Sequence, residues 1–200
     1  GNDPESAARV IAAFAPDWVV STAAFHVVDL CETEAAEAFR VNALAQRDVA
    51  AIAREAGAAF AFFSTDYVYG LDGVRRKPYR EEDPPGPISV YGASKAAGEA
   101  LALAYNPRAF VFRVSGLYGT APPAAKPENF PGMMLRLARE GRPIRVVDDQ
   151  VLAPSFAADV ALRAVEILER DRPGLYHLTN AGACSWHEFA REVFRLAGHT

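Results

Sequence analysis

Two short runs, AAFAFFST (Ala58–Thr65) and AFVFRVSG (Ala109–Gly116), are apolar almost without interruption. A strand with one face in water alternates apolar and polar residues. A continuous run must be covered on both sides, which is the signature of a parallel sheet inside an α/β fold. Between the runs lies Tyr91–Tyr105, an Ala-rich stretch of helical composition closed by Pro107. Strand, helix, strand in that order predicts a parallel, doubly wound α/β sheet covered on both faces.

The rest of the chain fits that frame. DWVVST (Asp17–Thr22) reads as an earlier strand, and Glu32–Glu55 as a helix stopped by Gly57. Asp66–Ser89 is a long loop rich in Pro and Gly. After Gly119 the texture changes. Ala121–Pro131 is Pro- and Ala-rich and reads as an active-site loop or a boundary between lobes. Met133–Glu140 reads as a short helix, Pro143–Gln150 (PIRVVDDQ) as a strand and Phe156–Arg170 as an amphipathic helix. Gly174–Asn180 reads as another strand and Trp186–Leu196 as a last helix. Ser185 followed by Glu188 has capping-box spacing.

The 200 residues suffice for a substantial core, and half are apolar. A net charge of −4 gives no electrostatic grip on nucleic acid or on acidic lipid. The apolar runs are far shorter than the roughly 20 residues that span a bilayer. The opening residues lack a basic-then-apolar leader, so the expected compartment is the cytoplasm. Cys31 and Cys184 have neither CxxC spacing nor a histidine cluster, so no metal site is expected.

Chemistry concentrates in FFSTDYVYG (Phe62–Gly70) and SVYGASKAAGE (Ser89–Glu99). Tyr91 and Lys95, four residues apart on a helix, share one face. An ammonium beside a phenol is expected to favour the phenolate and lower the tyrosine pKa from about 10. Thr65 ends a strand, so its hydroxyl emerges at the carboxyl edge of the sheet, where open α/β folds bind ligands.

These blocks, with FRVSGLYG, VVDDQVLAPS and GLYHLTNAGACSWHEFA in the same order from about Pro16 to Ala197, resemble dTDP-4-dehydrorhamnose reductase. That enzyme is an extended short-chain dehydrogenase/reductase. YxxxK alone is weak; preceded by STDY and followed by GE it is specific. No GxxGxxG or GxGxxG occurs. The resemblance therefore places the family's first strands and Gly-rich turn before Gly1, makes the carboxyl end short, and implies a Rossmann-like fold that is incomplete at its amino end. Residues 1–119 would form the partial cofactor-binding core. Residues 120–200 would form mainly a small substrate-binding lobe, with segments returning to the core.

The resemblance implies reduction of the C4 ketone of a dTDP-4-keto-6-deoxy sugar by NADPH or NADH. Tyr91 would be the proton donor, Lys95 would hold the cofactor ribose and Thr65 would hydrogen-bond the reacting oxygen. Ala23, Ala24, Phe25, His26 and Phe63 would contact the cofactor with Tyr91 and Lys95. Val28, Asp29, Asp66, Tyr67 and Asn129 would contact the dTDP-sugar with Thr65. A homodimer is compatible with it. Departures are Gly116 in place of a Trp, Ser21-Thr22 within a segment that is usually Asn-Ala-Ala-Ala, and Asp149–Ser155 without its usual glycine. Two alternatives remain at this point. One is a 4,6-dehydratase or 4-epimerase of the same superfamily, although Thr65 is followed by one carboxylate rather than the dehydratase's Asp-Glu pair. The other is a non-catalytic subunit like the regulatory beta subunit of methionine adenosyltransferase.

Overall fold

The computed structural model describes residues 3–73, 75, 77–120 and 128–198. The chain forms two compact units, Gly1–Val114 with Ala164–Leu178, and Ser115–Arg163 with Thr179–Thr200.

The first unit holds helix α1 (Pro4–Phe14), strand β1 (Trp18–Ser21), and helices α2 (Val28–Thr33) and α3 (Ala35–Phe39). A π-helical turn, Arg40–Leu44, leads into α4 (Ala45–Glu55). Strand β2 (Ala59–Thr65), a 3₁₀ turn (Asp66–Val68), helix α5 (Val90–Tyr105) and strand β3 (Ala109–Val114) follow. The second unit contributes β4 (Leu117–Tyr118), α6 (Phe130–Arg139), β5 (Val151–Leu152) and β6 (Ser155–Phe156). Helix α7 (Ala157–Arg170) starts in the second unit and ends in the first, where β7 (Gly174–His177) follows. Strand β8 (Cys184–Ser185) and α8 (Trp186–Leu196) close the second unit. Among the described residues, no helix is long and apolar enough to cross a membrane.

The main sheet runs β1-β2-β3-β7, all parallel, with Phe62 opposite Val111 and Thr65 opposite Val114. This is the α/β, Rossmann-like arrangement expected from the continuous apolar strands. Phe60, Phe62 and Val111 pack with Ala50 and Ala53 of α4 and Ala102 of α5. Each of those large side chains contributes about 1.5–3 kcal/mol by leaving water. Phe63, Phe110, Phe112 and Tyr176 stack along the opposite face, with centroids 5.3 to 6.4 Å apart.

Helix α5 approaches its neighbours closely enough to require glycine. A Cβ on Gly98 would lie 2.1 Å from the Asn42 carbonyl oxygen, and one on Gly92 would lie 2.1 Å from that of Tyr67. Both obstacles are backbone, which cannot swing aside. Gly98→Ala is therefore expected to destabilise by roughly 3 kcal/mol or more, despite alanine's better helix propensity. A denaturant midpoint at or above the wild-type value would contradict this close crossing.

Two sequence expectations change. The single helix over Glu32–Glu55 is broken at Glu34, whose φ of −121° and ψ of 49° are not helical. Glu32 instead accepts a hydrogen bond from Val90 N at 2.8 Å, placing its carboxylate at the amino end of α5. Pro143–Gln150 keeps alternating burial at Ile144 and Val146 but joins no sheet. Its carbonyls bond the start of α8 instead, with His187 N on Val147 O at 3.0 Å and Trp186 N on Gln150 O at 3.3 Å. The capping box at Ser185 and Glu188 is formed as its spacing predicts. Residues 121–127 of the Pro- and Ala-rich stretch lie outside the described residues.

Candidate active site

β2 ends at Thr65, at the carboxyl edge of the sheet. The Thr65 hydroxyl accepts from Tyr67 N at 3.2 Å and donates to Asp66 Oδ1 at 3.2 Å, so it also caps the 3₁₀ turn. Ser89 opens α5 by accepting from Gly92 N at 3.1 Å, which sets Tyr91 in the first turn and Lys95 one turn later. Gly92 lets that first turn lie against the Tyr67 carbonyl. The Tyr91 ring meets the Tyr67 ring edge-on at 5.7 Å.

The electrostatics differ from the expectation of a lysine-lowered phenol. Burial pushes the Tyr91 phenol up to about 12. The Thr65 hydroxyl opposes that shift by hydrogen bonding, while Asp66, Cys31 and Tyr67 add to it. Lys95 is 2% exposed, and its ammonium donates to Phe63 O at 2.7 Å and sits 3.9 Å from the Phe62 ring centroid. Burial drives it down to about 7, and Glu99 works against that change. The shared helix face is real, but the ammonium is turned onto the Phe63 carbonyl at the end of β2, and the phenol's shift is set by burial and its other neighbours.

The loop after β1 carries Ala23, Ala24, Phe25 and His26. Asn42, fully buried on the π-helical turn, clamps Phe25. Its Oδ1 accepts from Phe25 N at 2.8 Å, and its Nδ2 donates to Phe25 O at 2.9 Å and to Ser94 Oγ at 2.9 Å. Ser94 in turn donates to Tyr91 O at 2.8 Å. Asn42 thus ties this loop to the helix turn that carries Tyr91. The buried Gln46, one turn on, donates to Val41 O at 3.0 Å and to Ala23 O at 3.4 Å, and accepts from Ser21 Oγ at 2.7 Å. Asn42 and Gln46 were not singled out from the sequence. The available signal was two polar amides one turn apart within an otherwise Ala-rich helix, where asparagine is disfavoured unless its side chain has partners. A π-turn, which often marks a functional site, presents the first of them.

Val28 and Asp29 form the first turn of α2, and the Asp29 and Asp66 carboxylates help burial hold the Tyr67 phenol above its ordinary value. Phe63 is half-buried, its ring against Phe112 and its carbonyl on Lys95. Thr65, Asp66, Tyr67, Tyr91, Lys95, Phe63 and Asp29 therefore come together around the end of β2. Asn129 is in the second unit. It caps α6 by accepting from Gly132 N at 2.9 Å and lines a cavity of about 370 Å³ with Tyr118, Thr120 and Phe156.

Lys95 has three donor hydrogens, and among the described residues its hydrogen-bond acceptor is the Phe63 carbonyl. Donors left over on a buried cation suit the vicinal hydroxyls of a ribose, so the residues present fit a nicotinamide nucleotide.

The family described as RmlD substrate binding domain matches residues 1–200. The chain is 36% identical over 196 residues to the spore coat polysaccharide biosynthesis protein SpsK of Bacillus subtilis, covering 98% of this chain and 66% of that protein. It is 39% identical over 199 residues to a dTDP-4-dehydrorhamnose reductase of Burkholderia thailandensis, covering 95% of this chain and 64% of that protein. The crystal structure of dTDP-4-dehydrorhamnose reductase from Bacillus anthracis in complex with NADP aligns with a TM-score of 0.91 at 35% identity, covering 100% of this chain and 69% of that chain. The chain spans just under two thirds of the length of these curated relatives.

Proposed function

The chain belongs to the RmlD substrate binding domain family, and from that premise we propose that it carries the proton-transfer centre of an NAD(P)H-dependent reductase. Its substrate is a dTDP-4-keto-6-deoxy sugar, dTDP-4-dehydrorhamnose, and its product dTDP-rhamnose. The observation that carries this reading is the meeting of a Thr65 hydroxyl and a neutral Tyr91 phenol at the sheet edge, with a buried lysine one turn below. The similarity to reductases of that name supports it.

A ketone reduced at C4 needs a hydride at carbon and a proton at oxygen. The nicotinamide cofactor supplies the hydride. Tyr91 supplies the proton: its O–H bond breaks as the sugar's O–H bond forms, and the phenolate is reprotonated from solvent. With its pKa pushed up to about 12, the phenol is protonated throughout the neutral range, as a general acid must be. Thr65 steadies the oxygen that gains negative charge, and such a donor is worth about 2.7–4 kcal/mol of barrier. Lys95 holds the ribose hydroxyls. Ala23 and Ala24 let the backbone approach the cofactor, Phe25 and His26 continue that loop, and Phe63 lines it. Val28, Asp29, Asp66 and Tyr67 contact the sugar, and Asn129 is a further contact of the dTDP-sugar.

The test is oxidation of NADPH or NADH by the intact protein given dTDP-4-dehydrorhamnose, with product formed mole for mole. Binding of both ligands without oxidation would reject the reading in favour of a non-catalytic role.

A further inference from the structure

Beneath the site runs a buried ionic cluster that the proposed chemistry does not use. Glu99 lies one turn after Lys95 on α5, and both side chains are almost wholly buried. Its carboxylate accepts from Ser64 Oγ at 2.5 Å, the residue between Phe63, which holds Lys95, and Thr65. It also takes a two-pronged contact from Arg113 of β3, Nε at 2.9 Å and Nη2 at 2.6 Å. Arg113 Nη1 donates to Tyr69 OH at 2.5 Å, and that hydroxyl also donates to Arg80 O at 3.0 Å and meets His177 Nε2 at 2.9 Å.

A buried ion pair is a poor device for stability, since dehydrating both charges consumes most of the attraction. Its position calls for a separate reason. Lys95 rests on two neutral partners, the Phe63 carbonyl and the Phe62 ring. The charged and titratable groups of the elements around it are Tyr91, Glu99 and Tyr105 on α5, Asp66 and Tyr67 on the turn after β2, Asp29, Cys31 and Glu32 on α2, and Arg113 on β3. Asp29, Asp66 and Cys31 bear on the phenols. Glu99 is the carboxylate that bears on the ammonium.

We propose that Glu99 is a positioning residue of the reductase site: clamped between Ser64 and Arg113, its carboxylate supplies the negative charge that keeps Lys95 an ammonium seated against the end of β2. This rests on the reading of Tyr91 and Lys95 as the reducing centre. Arg113 and Ser64 hold the carboxylate in place, and it works against the neutral form of Lys95 that burial alone favours. The proton on Lys95 then survives to higher pH than the surroundings would otherwise allow.

The experiment is a titration of Lys95 by NMR in intact protein carrying labelled lysine. The chain has three lysines, Lys77, Lys95 and Lys126, so the signal is identified by its loss in Lys95→Met. In Glu99→Gln the pH at which Lys95 loses its proton should fall by about one unit or more, and the alkaline limb of kcat/KM should move with it. Because Glu99→Gln leaves Arg113 buried without its anion, the paired variant Glu99→Gln/Arg113→Gln, which leaves no lone charge, is measured alongside and should show a fall in the same direction, smaller because a cation is removed with the carboxylate. A merely structural Glu99 would lower the melting temperature without moving the Lys95 titration. An unmoved titration in either folded variant overturns the proposal. Tyr91→Phe separates this from the reaction itself. Turnover that survives Tyr91→Phe removes Tyr91 from proton transfer, and absence of any NADPH or NADH oxidation by the wild-type protein removes the reductase reading, whereas wild-type turnover with an unmoved Lys95 titration in Glu99→Gln removes only the role of Glu99.

Discussion

Tyr91→Phe is expected to lower kcat/KM of the intact protein by about 10²–10⁴-fold, the usual worth of a positioned general acid. The fold should be nearly untouched. The ring remains to pack edge-on against Tyr67 at 5.7 Å, and only the interaction with the Thr65 hydroxyl is lost. One such bond contributes about 1 kcal/mol net, so denaturation midpoints of the two proteins should nearly coincide. Wild-type kinetics in the variant would remove Tyr91 from proton transfer. The raised phenol adds a second expectation. Tyr91 does not titrate in the neutral range, so the alkaline limb of the wild-type profile reports another group. Lys95, brought down to about 7, is the group that titrates there. A pH profile flat from about pH 6 to pH 9 would contradict that assignment.

The elements that position the site were legible because their signals are local. An unbroken apolar run fixes β2 and β3 as covered strands, and Ser89 and Pro107 bracket α5 on either side of its Ala-rich body. Thr65, Tyr91 and Lys95 follow from those elements, since a strand end and a helix period put them at one edge. What failed needed tertiary knowledge. PIRVVDDQ alternates as a strand does, but a strand requires a partner, and α8 takes its carbonyls instead. YxxxK spacing reports a shared face and nothing about water, so the phenol and the ammonium are both displaced by burial in a way the motif does not carry. Ser64 inside AFAFFST, Arg113 inside AFVFRV and Glu99 inside an Ala-rich helix were each visible as polar residues in apolar company. Their mutual pairing depends on β3 lying beside β2, which only the assembled sheet provides.

Lys95→Met is expected to abolish ribose binding and, at the same time, to stabilise the protein at and below neutral pH. Methionine is close in volume and length, so the space over Phe62 stays filled. The sign follows from proton counting. An unfolded lysine holds its proton up to 10.5, whereas the folded one releases it at about 7. Between those values the unfolded chain binds more protons, so wild-type stability rises with pH through that window, and below it the whole cost of the buried charge is felt. Each unit of displacement corresponds to about 1.4 kcal/mol. Part of the gain is offset because the Phe63 carbonyl loses its donor, at about 1–3 kcal/mol. The net advantage of Lys95→Met is then about 2–4 kcal/mol near pH 6, shrinking to nothing or reversing as the pH approaches 10. Burial holds His177 below its ordinary value and Cys31 above its own, but both groups are common to the two proteins and cancel in the difference. Urea denaturation of wild type and variant at several pH values reads that difference directly. If it does not change with pH, Lys95 is not a dehydrated cation, and the site carries no stored charge to spend on holding a ribose.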